Sequence, residues 1–404
     1  MNKQKVQTLK GFRDFLPQDK RVRDFVADKI KGVFDKYNFE PIETPTLEYA
    51  SLLLGKYGEE ADKLVYSFGD KGGREVALRY DQTVPTARFL VNYQNDLPKY
   101  FRRYQIQNVF RADKPQKGRF REFVQCDCDI FEAEEGIADA EILVCCWEIF
   151  KNLGFEKVRI KINDRRLLSS ILSKYENADL SVFSLMASID KLDKTGENGV
   201  IEELVSKGLG EEKAWQGLKE LKESKISVEL EKICEMAEKM GIENGVLEFD
   251  SSLARGLDYY TGMIFEIIIE GYIVGSVGGG GRYDNLIKDL AGLEMKAVGV
   301  GLGFDRIVEA IKQFNLYKNN DCDSYLITIF DEKYQARSLQ VARRLREQGS
   351  RVEIYPKVDK LGKQFRLANQ KQIKYVVVLG EEEVDGEFVT IKDMQSGEQK
   401  RVKI

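Results

Sequence analysis

Histidine does not occur in this chain of 404 residues. It is the commonest general base in enzymes and the commonest protein ligand of transition metals. The six cysteines, at positions 126, 128, 145, 146, 234 and 322, include no C-x-x-C pair, so we predict no metal site built from protein side chains. Catalysis would then rest on arginine, carboxylates, tyrosine, backbone groups and, where a cation is needed, Mg²⁺.

Long apolar runs are also missing. No segment approaches the roughly 20 apolar residues needed to cross a bilayer. The lysine-bearing segment 1–10 is not followed by the apolar core of a signal peptide. We therefore expect a cytoplasmic protein without membrane contact, whose cysteines are reduced, partly buried thiols.

The chain is too long for one hydrophobic core, so two or three domains are expected. Hydrophobic residues make up 43% and charged residues 32% of the sequence, which is typical of a globular protein. The formal net charge is only −4. A surface that binds nucleic acid must therefore be a local basic patch on a mildly acidic molecule.

Local patterns predict where the main elements lie. Apolar and β-branched residues in 100–110 and 122–131 predict a hairpin with a polar, basic loop. Helical periodicity with many lysines and glutamates dominates residues 164–242, which we interpret as a helical insertion. After a linker at 315–323, strands alternate with helices, which predicts a small α/β domain with a largely parallel sheet.

The hairpin segment 99–121 is strongly basic. It holds eight basic residues against a single acid, Asp113. These are Lys99, Arg102, Arg103, Arg111, Lys114, Lys117, Arg119 and Arg121. Alternate side chains of a strand share one face, and converging guanidinium groups suit phosphate oxygens. Charge density alone leaves two interpretations open, a phosphate site and a solvated basic hairpin.

Three further segments are candidates for chemistry. Residues 254–262 read A-R-G-L-D-Y-Y-T-G, a pattern that by itself favours packing over catalysis. Four glycines at 278–281 lack the spacing of a phosphate-binding loop, and alone they predict a tight turn. Residues 298–306, V-G-V-G-L-G-F-D-R, predict a strand with a flat backbone strip and an arginine at the following helix, which suits a purine and a phosphate.

Taken together and in this order, the motifs resemble the class II aminoacyl-tRNA synthetases, and among them the histidyl-tRNA synthetase family. The resemblance covers nearly the whole chain. It includes the prolines at 41 and 45, F-R-A-D-K-P-Q-K-G-R-F-R-E-F at 110–123, R-G-L-D-Y-Y at 255–260, G-G-R-Y-D at 280–284 and the segment 298–306.

The resemblance implies an α+β class II synthetase core, built on an antiparallel sheet flanked by helices. It implies a helical insertion at 164–243 and a C-terminal α/β anticodon-binding domain at 322–404, with the core formed by 1–163 and 244–318. The implied reaction is ATP-dependent formation of histidyl-adenylate with release of pyrophosphate, followed by transfer of histidine to the 3′ end of tRNA(His). Mg²⁺ would accompany the ATP, and the protein would be a homodimer.

The resemblance also implies roles for individual residues. The catalytic residues would be Arg255 and Arg111, and the ATP-binding residues Arg111, Asp113, Arg119 and Arg306. The histidine-binding residues would be Asp81, Thr83, Gln125, Asp129, Arg255, Tyr259, Tyr260 and Tyr283. The tRNA-binding residues would be Lys114, Gln116 and Lys117 at the acceptor end, with Lys357, Lys363 and Arg366 in the last domain. Asp129 and Tyr260 would hold the two imidazole nitrogens.

Two other functions share this core. One is the regulatory subunit of ATP phosphoribosyltransferase, which does not charge tRNA, generally lacks the anticodon-type domain and usually has eroded motifs. The other is a module that senses uncharged tRNA, normally fused to a kinase. The complete motifs and the C-terminal domain favour a synthetase, and R-G-L-D-Y-Y separates it from class II enzymes for proline or threonine.

Overall fold

The computed structural model describes residues 6–55, 62–114, 120–178, 180–255, 259–318 and 323–403. The chain divides into two compact units, Met1–Tyr317 and Lys318–Ile404. No helix in the described ranges is long and apolar enough to cross a membrane.

The first unit is built around one large sheet and one small sheet. In chain order its strands are β1 (Glu40–Pro41), β2 (Leu47–Tyr49), β3 (Ser67–Gly69), β4 (Glu75–Leu78), β5 (Arg102–Phe110), β6 (Glu122–Phe131), β7 (Val158–Asp164), β8 (Leu247–Phe249), β9 (Met263–Ile269), β10 (Gly278–Arg282) and β11 (Ala297–Leu302). The large sheet has the order β1-β5-β6-β11-β10-β9-β7-β8, and the small sheet has the order β2-β4-β3. Only the edge pairs β1–β5 and β7–β8 of the large sheet are parallel, so the expected antiparallel core is confirmed.

Helices flank the large sheet and fill the segment between β7 and β8. In chain order they are α1 (Pro17–Lys36), α2 (Ala50–Leu53), α3 (Thr83–Asn92), α4 (Ile137–Asn152), α5 (Arg165–Leu172), a 3-10 turn (Ser173–Tyr175), α6 (Val182–Ile189), α7 (Leu192–Ser206), α8 (Glu211–Glu223), α9 (Val228–Lys239), α10 (Leu286–Ala291) and α11 (Phe304–Gln313). The helical character predicted for 164–242 is therefore present in the structure.

The two faces of β6 have different surroundings because side chains alternate along a strand. Cys126, Cys128 and Ile130 point into the main hydrophobic core, where Cys145 and Cys146 of α4 join them. All four of these thiols are buried and free. The intervening positions of β6 face the opposite side of the sheet, which leaves that side for polar chemistry.

The four-glycine segment differs from the tight turn that its sequence alone predicts. Gly278–Arg282 form β10, a strand between β9 and β11. A Cβ built on Gly280 would overlap the carbonyl oxygen of Gly299 on the neighbouring strand. The glycines are needed here for close backbone approach within a sheet, which local sequence does not distinguish from a turn.

The second unit is a five-stranded sheet with helices. Its elements are β12 (Ser324–Ile327), a 3-10 turn (Glu332–Tyr334), α12 (Gln335–Glu347), β13 (Arg351–Ile354), α13 (Leu361–Gln370), β14 (Tyr375–Val378), α14 (Glu381–Asp385), β15 (Phe388–Asp393) and β16 (Gln399–Lys403). The order is β13-β12-β14-β15-β16. The first three strands are parallel, as expected, and β15 and β16 extend the sheet as an antiparallel hairpin that the sequence pattern had not indicated.

Candidate active site

A cavity of about 600 Å³ lies over the polar face of the large sheet. Ten of the predicted site residues line it: Thr83, Arg111, Asp113, Gln125, Asp129, Arg255, Tyr259, Tyr260, Tyr283 and Arg306. Asp81 is not among the lining residues, but its Oδ1 accepts a hydrogen bond of 3.1 Å from the backbone N–H of Thr83 at the start of α3. The structure therefore brings these ten predicted ATP and histidine residues to one place, with Asp81 bonded to Thr83.

The floor of the cavity is a polar row on β6. Gln125, Asp127 and Asp129 alternate with the buried cysteines and all line the cavity. Gly299 and Gly301 lie directly opposite Asp129 and Asp127 on β11. A Cβ on Gly299 would overlap the Asp129 carboxylate, and one on Gly301 would lie 3.3 Å from Asp127 Oδ1. The glycines of the last core motif thus make room for the acids of β6.

Asp129 is held by two internal partners. Its Oδ2 lies 2.6 Å from Nη2 of Arg103, a buried residue at the opposite position on β5. The hydroxyl of Tyr283 donates a hydrogen bond to its Oδ1. Burial raises the pKa of Asp129, against the opposing effects of Arg103 and of Tyr283. The resemblance assigned no role to Arg103, whose position on β5 opposite Asp129 becomes apparent only once the strand register is known.

Asp127 is the acid that sequence reasoning missed. It is 6% exposed, and its Oδ1 is buried without a hydrogen-bond partner among the described residues. Burial raises its pKa to about 7, and the charges of Asp129 and Asp81 act in the same direction, while Arg103 opposes. Its position between Gln125 and Asp129 in a strand with period two was the signal that could have identified it.

Arg255 lies over β10. Its Nη1 donates a hydrogen bond of 2.9 Å to the carbonyl oxygen of Phe265, and a Cβ on Gly279 would overlap its guanidinium group. Its backbone φ of +45° is in the left-handed region, which is strained for a side chain of this size. Nη1 of Arg165, a buried residue of α5, donates to the carbonyl oxygens of Ala254 and Arg255 at 2.9 and 3.1 Å. These bonds hold the strained segment in place.

Arg111 follows β5 and rests on aromatic rings. Its guanidinium carbon lies 4.4 Å from the ring centre of Tyr80 and 5.2 Å from that of Phe123. Its Nε donates to the carbonyl oxygen of Tyr80 at 3.2 Å. Within the described ranges no carboxylate forms an ion pair with it, so its charge remains available to an anion in the cavity.

The start of α11 is fixed by residues near the N-terminus. Asp305 Oδ1 accepts from Arg13 at 2.8 Å and from Arg23 at 2.5 Å. Its Oδ2 accepts from the backbone N–H of Val124 on β6 at 3.1 Å. The next residue, Arg306, lines the cavity and donates to the carbonyl oxygen of Ser276 at 2.7 Å. Asp305 therefore ties α11 to β6 beside the cavity.

The predicted tRNA residues are only partly described. Gln116 and Lys117, together with the predicted ATP residue Arg119, lie outside the described residues. Lys114 is exposed. In the second unit Lys357, Lys363 and Arg366 are exposed. The two lysines lie 3.6 and 3.1 Å from the carboxylate of Asp359, whereas Arg366 makes no ion pair with any described residue.

No grouping of three or more Cys, Asp or Glu side chains that could hold a metal ion is found in the described part of the chain.

Known proteins resemble this chain over its whole length. A model of the family described as histidyl-tRNA synthetase matches residues 11–307, and a model described as anticodon binding domain matches residues 323–404. The histidine–tRNA ligase of Christiangramia forsetii is 38% identical, with 98% of this chain and 97% of the relative covered. That of Wolinella succinogenes is 39% identical, with 98% and 95% covered.

Solved structures agree. The crystal structure of histidyl-tRNA synthetase from Nostoc sp. PCC 7120 matches with a TM-score of 0.85 at 29% identity, covering 99% of this chain and 97% of that one. A structure from Bacillus halodurans C, described as an ATP phosphoribosyltransferase regulatory subunit/histidyl-tRNA synthetase, has a TM-score of 0.77 at 22% identity, covering 92% and 97%. At that identity it shows the shared fold alone. The family match over most of the chain and the full-length relatives lead to one conclusion: the chain belongs to the histidyl-tRNA synthetase family.

Proposed function

We propose that this chain is a histidine–tRNA ligase, which forms histidyl-adenylate from histidine and ATP and then transfers histidine to the 3′ end of tRNA(His). One observation carries the proposal. Arg111 and Arg255, from distant parts of the sequence, line the same cavity as the acidic face of β6. Such a cavity has cations for phosphate and a substrate carboxylate beside acids for a cationic amino acid.

The proposed reaction requires no histidine side chain from the protein. An oxygen of the substrate carboxylate, which is already ionised at neutral pH, attacks the α-phosphorus of ATP. The bond from this phosphorus to the bridging oxygen breaks, and pyrophosphate leaves with the electron pair. Negative charge builds on the α-phosphate oxygens in the transition state. Fixed cations such as Arg111 and Arg255 stabilise that charge without having to reorganise, an effect worth several kcal/mol.

Arg255 is well suited to this role because its position is fixed before substrate binds. The Phe265 carbonyl holds its guanidinium group, and Arg165 holds its backbone. Arg111 is the proposed ligand of the α-phosphate, and its stacking on Tyr80 restricts its side chain in the same way. Arg119 and Arg306 are the proposed ligands of the departing pyrophosphate.

The adenine ring is proposed to lie on the glycine strip of β11. Gly301 lines the cavity and carries no side chain that would stand above the sheet at this point, whereas the Asp129 carboxylate takes the space over Gly299. Asp113 is the proposed contact to the edge of the base. Mg²⁺ is proposed as a companion of the ATP phosphates, where it would neutralise charge, while the protein contributes the arginines.

The amino acid is proposed to bind along β6. Asp81, Thr83 and Gln125 would hold its α-amino group, and Asp129 with Tyr260 would contact the imidazole nitrogens. Tyr283 and Tyr259 close this side, with ring centres 5.9 Å apart. A buried polar pocket discriminates strongly because an analogue without ring nitrogens leaves these groups unpaired.

The remaining assignments concern tRNA and assembly. We propose that 1–163 and 244–318 form the catalytic core, that 164–243 is an insertion, and that 322–404 reads the anticodon. Lys114, Gln116 and Lys117 would meet the acceptor end, while Lys357, Lys363 and Arg366 would contact the anticodon arm. Basic side chains of this kind bind the phosphate backbone.

A homodimer is proposed through the small sheet. Leu47, Tyr49 and Phe68 share one of its faces, since each pairs with β4 in register. They are 46%, 60% and 46% exposed, which is unusual for large apolar side chains on a single sheet face. Sedimentation of the wild-type chain should give the dimer mass, and Tyr49→Glu should shift it towards the monomer.

The activity is tested by ATP–pyrophosphate exchange with each standard amino acid in turn. We expect histidine to support exchange and the other standard amino acids not to. Arg255→Ala should lower the exchange rate at least a hundredfold while histidine still binds, and Arg255→Lys should recover part of it. Arg159→Ala, at an exposed arginine of the same sheet, is the matched control. Histidine binding without any exchange would instead support the regulatory-subunit function.

A further inference from the structure

Two buried acceptors on the cavity floor have neither a hydrogen-bond donor nor an ion-pair partner among the described residues. Gln125 Oε1 and Asp127 Oδ1 both have less than 1 Å² of exposed area and no hydrogen-bond partner in the described structure. They belong to alternate residues of β6, so they lie on the same face of the strand. Leaving such groups unpaired costs free energy because their hydration is lost without replacement, and the cost is greater for a charged group. A ligand that restores this loss must bring hydrogen-bond donors.

The charge balance around these acceptors indicates that the missing donor is a cation. The charge of Asp129 is already balanced by Arg103 in a 2.6 Å ion pair. Asp127 makes no ion pair with any residue that the structure describes. Burial raises its pKa most; the charge of Arg103 opposes this rise, and the charges of Asp129 and Asp81 add to it. The charge of Arg111 also opposes the rise, but its guanidinium group rests on the rings of Tyr80 and Phe123 and makes no ion pair with Asp127. The site therefore carries unbalanced negative charge beside Gln125.

On this basis we propose that Asp127 binds the α-ammonium group of the amino-acid substrate, together with Gln125. An α-ammonium group has three N–H donors and a full positive charge, which matches two or more convergent acceptors. Asp129, which Arg103 and Tyr283 already occupy, would be left to position the ring end of the substrate. The inference rests on the proposed function and adds a residue that the family motifs did not assign.

The geometry also explains why an acid fits at this position. Asp127 lies opposite Gly301, and a Cβ added to that glycine would lie 3.3 Å from Asp127 Oδ1, closer than an ordinary van der Waals contact. Gln105 faces it from β5, but the Nε2 of Gln105 donates to Thr44 Oγ1 at 2.8 Å and to Gln107 instead. Neither neighbouring strand therefore supplies Asp127 with a donor.

The main test compares wild type with Asp127→Asn in histidine-dependent pyrophosphate exchange. At pH 8 the variant should raise KM for histidine at least tenfold, since a hydrogen bond to a charged group is lost, and should leave KM for ATP within about twofold. Cys128→Ala, on the opposite face of the same strand, is the matched control and should leave both values within about twofold. An unchanged KM for histidine in Asp127→Asn would refute the inference.

The pH dependence separates contact from mere structural support. Four charged groups face Asp127. They are Arg103 on β5, Arg111 just after β5, Asp129 on β6 and Asp81 just before α3. Since its pKa is about 7, the ionised form that binds a cation prevails at pH 8 and is scarce at pH 6. The ratio of KM for histidine between variant and wild type should therefore fall severalfold from pH 8 to pH 6. Titration of histidine itself cancels in this ratio, and a constant ratio would contradict the proposal.

Ligand fragments identify the group that is bound. Imidazolepropionate, which lacks the amine, should inhibit exchange equally in wild type and Asp127→Asn, whereas histamine should bind more weakly to the variant. If imidazolepropionate and histamine both bound the variant more weakly than wild type, and to the same degree, Asp127 would lie at the imidazole ring and the proposal would be overturned. If the wild-type chain shows no histidine-dependent exchange, the proposed function fails. If it does and the variant behaves like wild type, only the assignment of Asp127 fails.

Discussion

Arg103 and Asp129 form a buried ion pair across neighbouring strands, with Nη2 and Oδ2 2.6 Å apart. They are opposite each other in the register of β5 and β6, and Tyr283 completes the arrangement by donating to the same carboxylate. The pair fixes one end of the cavity floor. Asp127, two residues earlier on the same face of β6, has no hydrogen-bond partner for its Oδ1 among the described residues, so the two acids differ in environment.

Breaking this pair should be costly because it leaves Arg103 buried and uncompensated. We expect Asp129→Asn to lower the free energy of unfolding by about 3 kcal/mol, the lower end of the range for buried pairs, since Asp127 is close enough to take over part of the interaction. Urea denaturation measures the change. The double variant with Arg103→Met should lose less than the sum of the single variants; additive losses would show that the pair is not coupled.

The stability of the unliganded protein should depend on pH through Asp127. Its carboxyl has a pKa of about 7 in the fold against an ordinary value of 3.8, so the fold favours the protonated form. Stability is retained below about pH 4 and is lost as the pH rises towards 7, by up to roughly 4 kcal/mol. Asp127→Asn should therefore be more stable than wild type at pH 8, with the advantage shrinking towards pH 4. The unfolding temperatures of both proteins at pH 8 and pH 4 measure this difference. If Asp127 were ionised and stabilised in the empty cavity, the variant would instead be less stable than wild type at pH 8.

Two glycines of β11 should respond very differently to substitution. A Cβ on Gly299 would overlap the Asp129 carboxylate and lie 2.8 Å from the Cys128 carbonyl oxygen. Gly299→Ala should therefore destabilise the fold by more than about 2 kcal/mol. Gly301→Ala meets Asp127 Oδ1 at 3.3 Å and the Gly279 carbonyl oxygen at 4.0 Å, so it should fold normally but raise KM for ATP where its methyl group enters the cavity. Similar stability losses in the two variants would argue against this geometry.

Asp305→Asn should weaken the link between α11 and β6. Arg13 and Arg23 would lose their shared carboxylate, and we expect a loss of about 2–3 kcal/mol together with a several-fold higher KM for ATP. Asp19→Asn is the matched control because Asp19 pairs with Lys312 of the same helix while both remain about 45% exposed. Exposed pairs of this kind contribute at most about 1 kcal/mol. Equal effects in the two variants would refute a special role for Asp305.

Arg165→Met should lower catalysis although the Arg165 side chain contacts the backbone of Arg255 and not the substrate site itself. The backbone of Arg255 has a positive φ that Arg165 supports from α5. Without these hydrogen bonds Arg255 should become less ordered, which lowers kcat at least tenfold while KM for histidine and ATP changes little. Steady-state exchange kinetics separate the two parameters, and a change confined to KM would show that Arg165 acts elsewhere.

Much of the architecture was predictable from local patterns because these patterns reflect local physics. Alternation in 100–110 and 122–131 predicted β5 and β6, and helical periodicity predicted the helices between β7 and β8. The motifs then placed Arg111, Gln125, Arg255 and Arg306 in one site by resemblance, and all four line the cavity. The roles of these residues stay predictions.

The tertiary structure decided what depends on contacts between distant segments. By sequence alone the glycine run 278–281 predicted a turn, yet it is an inner strand because β9 and β11 approach it from both sides. Likewise, the local pattern of β6 does not distinguish Asp127 from Asp129, since both lie on the same face of the strand. Only the burial of this face and the register of β6 with β5 give one of them an arginine partner and leave the other without an ion pair among the described residues. Sequence determined which elements and chemical groups the chain has; the fold determined which of those groups are buried, paired or left for a ligand, because burial and pairing are set by neighbours far apart in the chain.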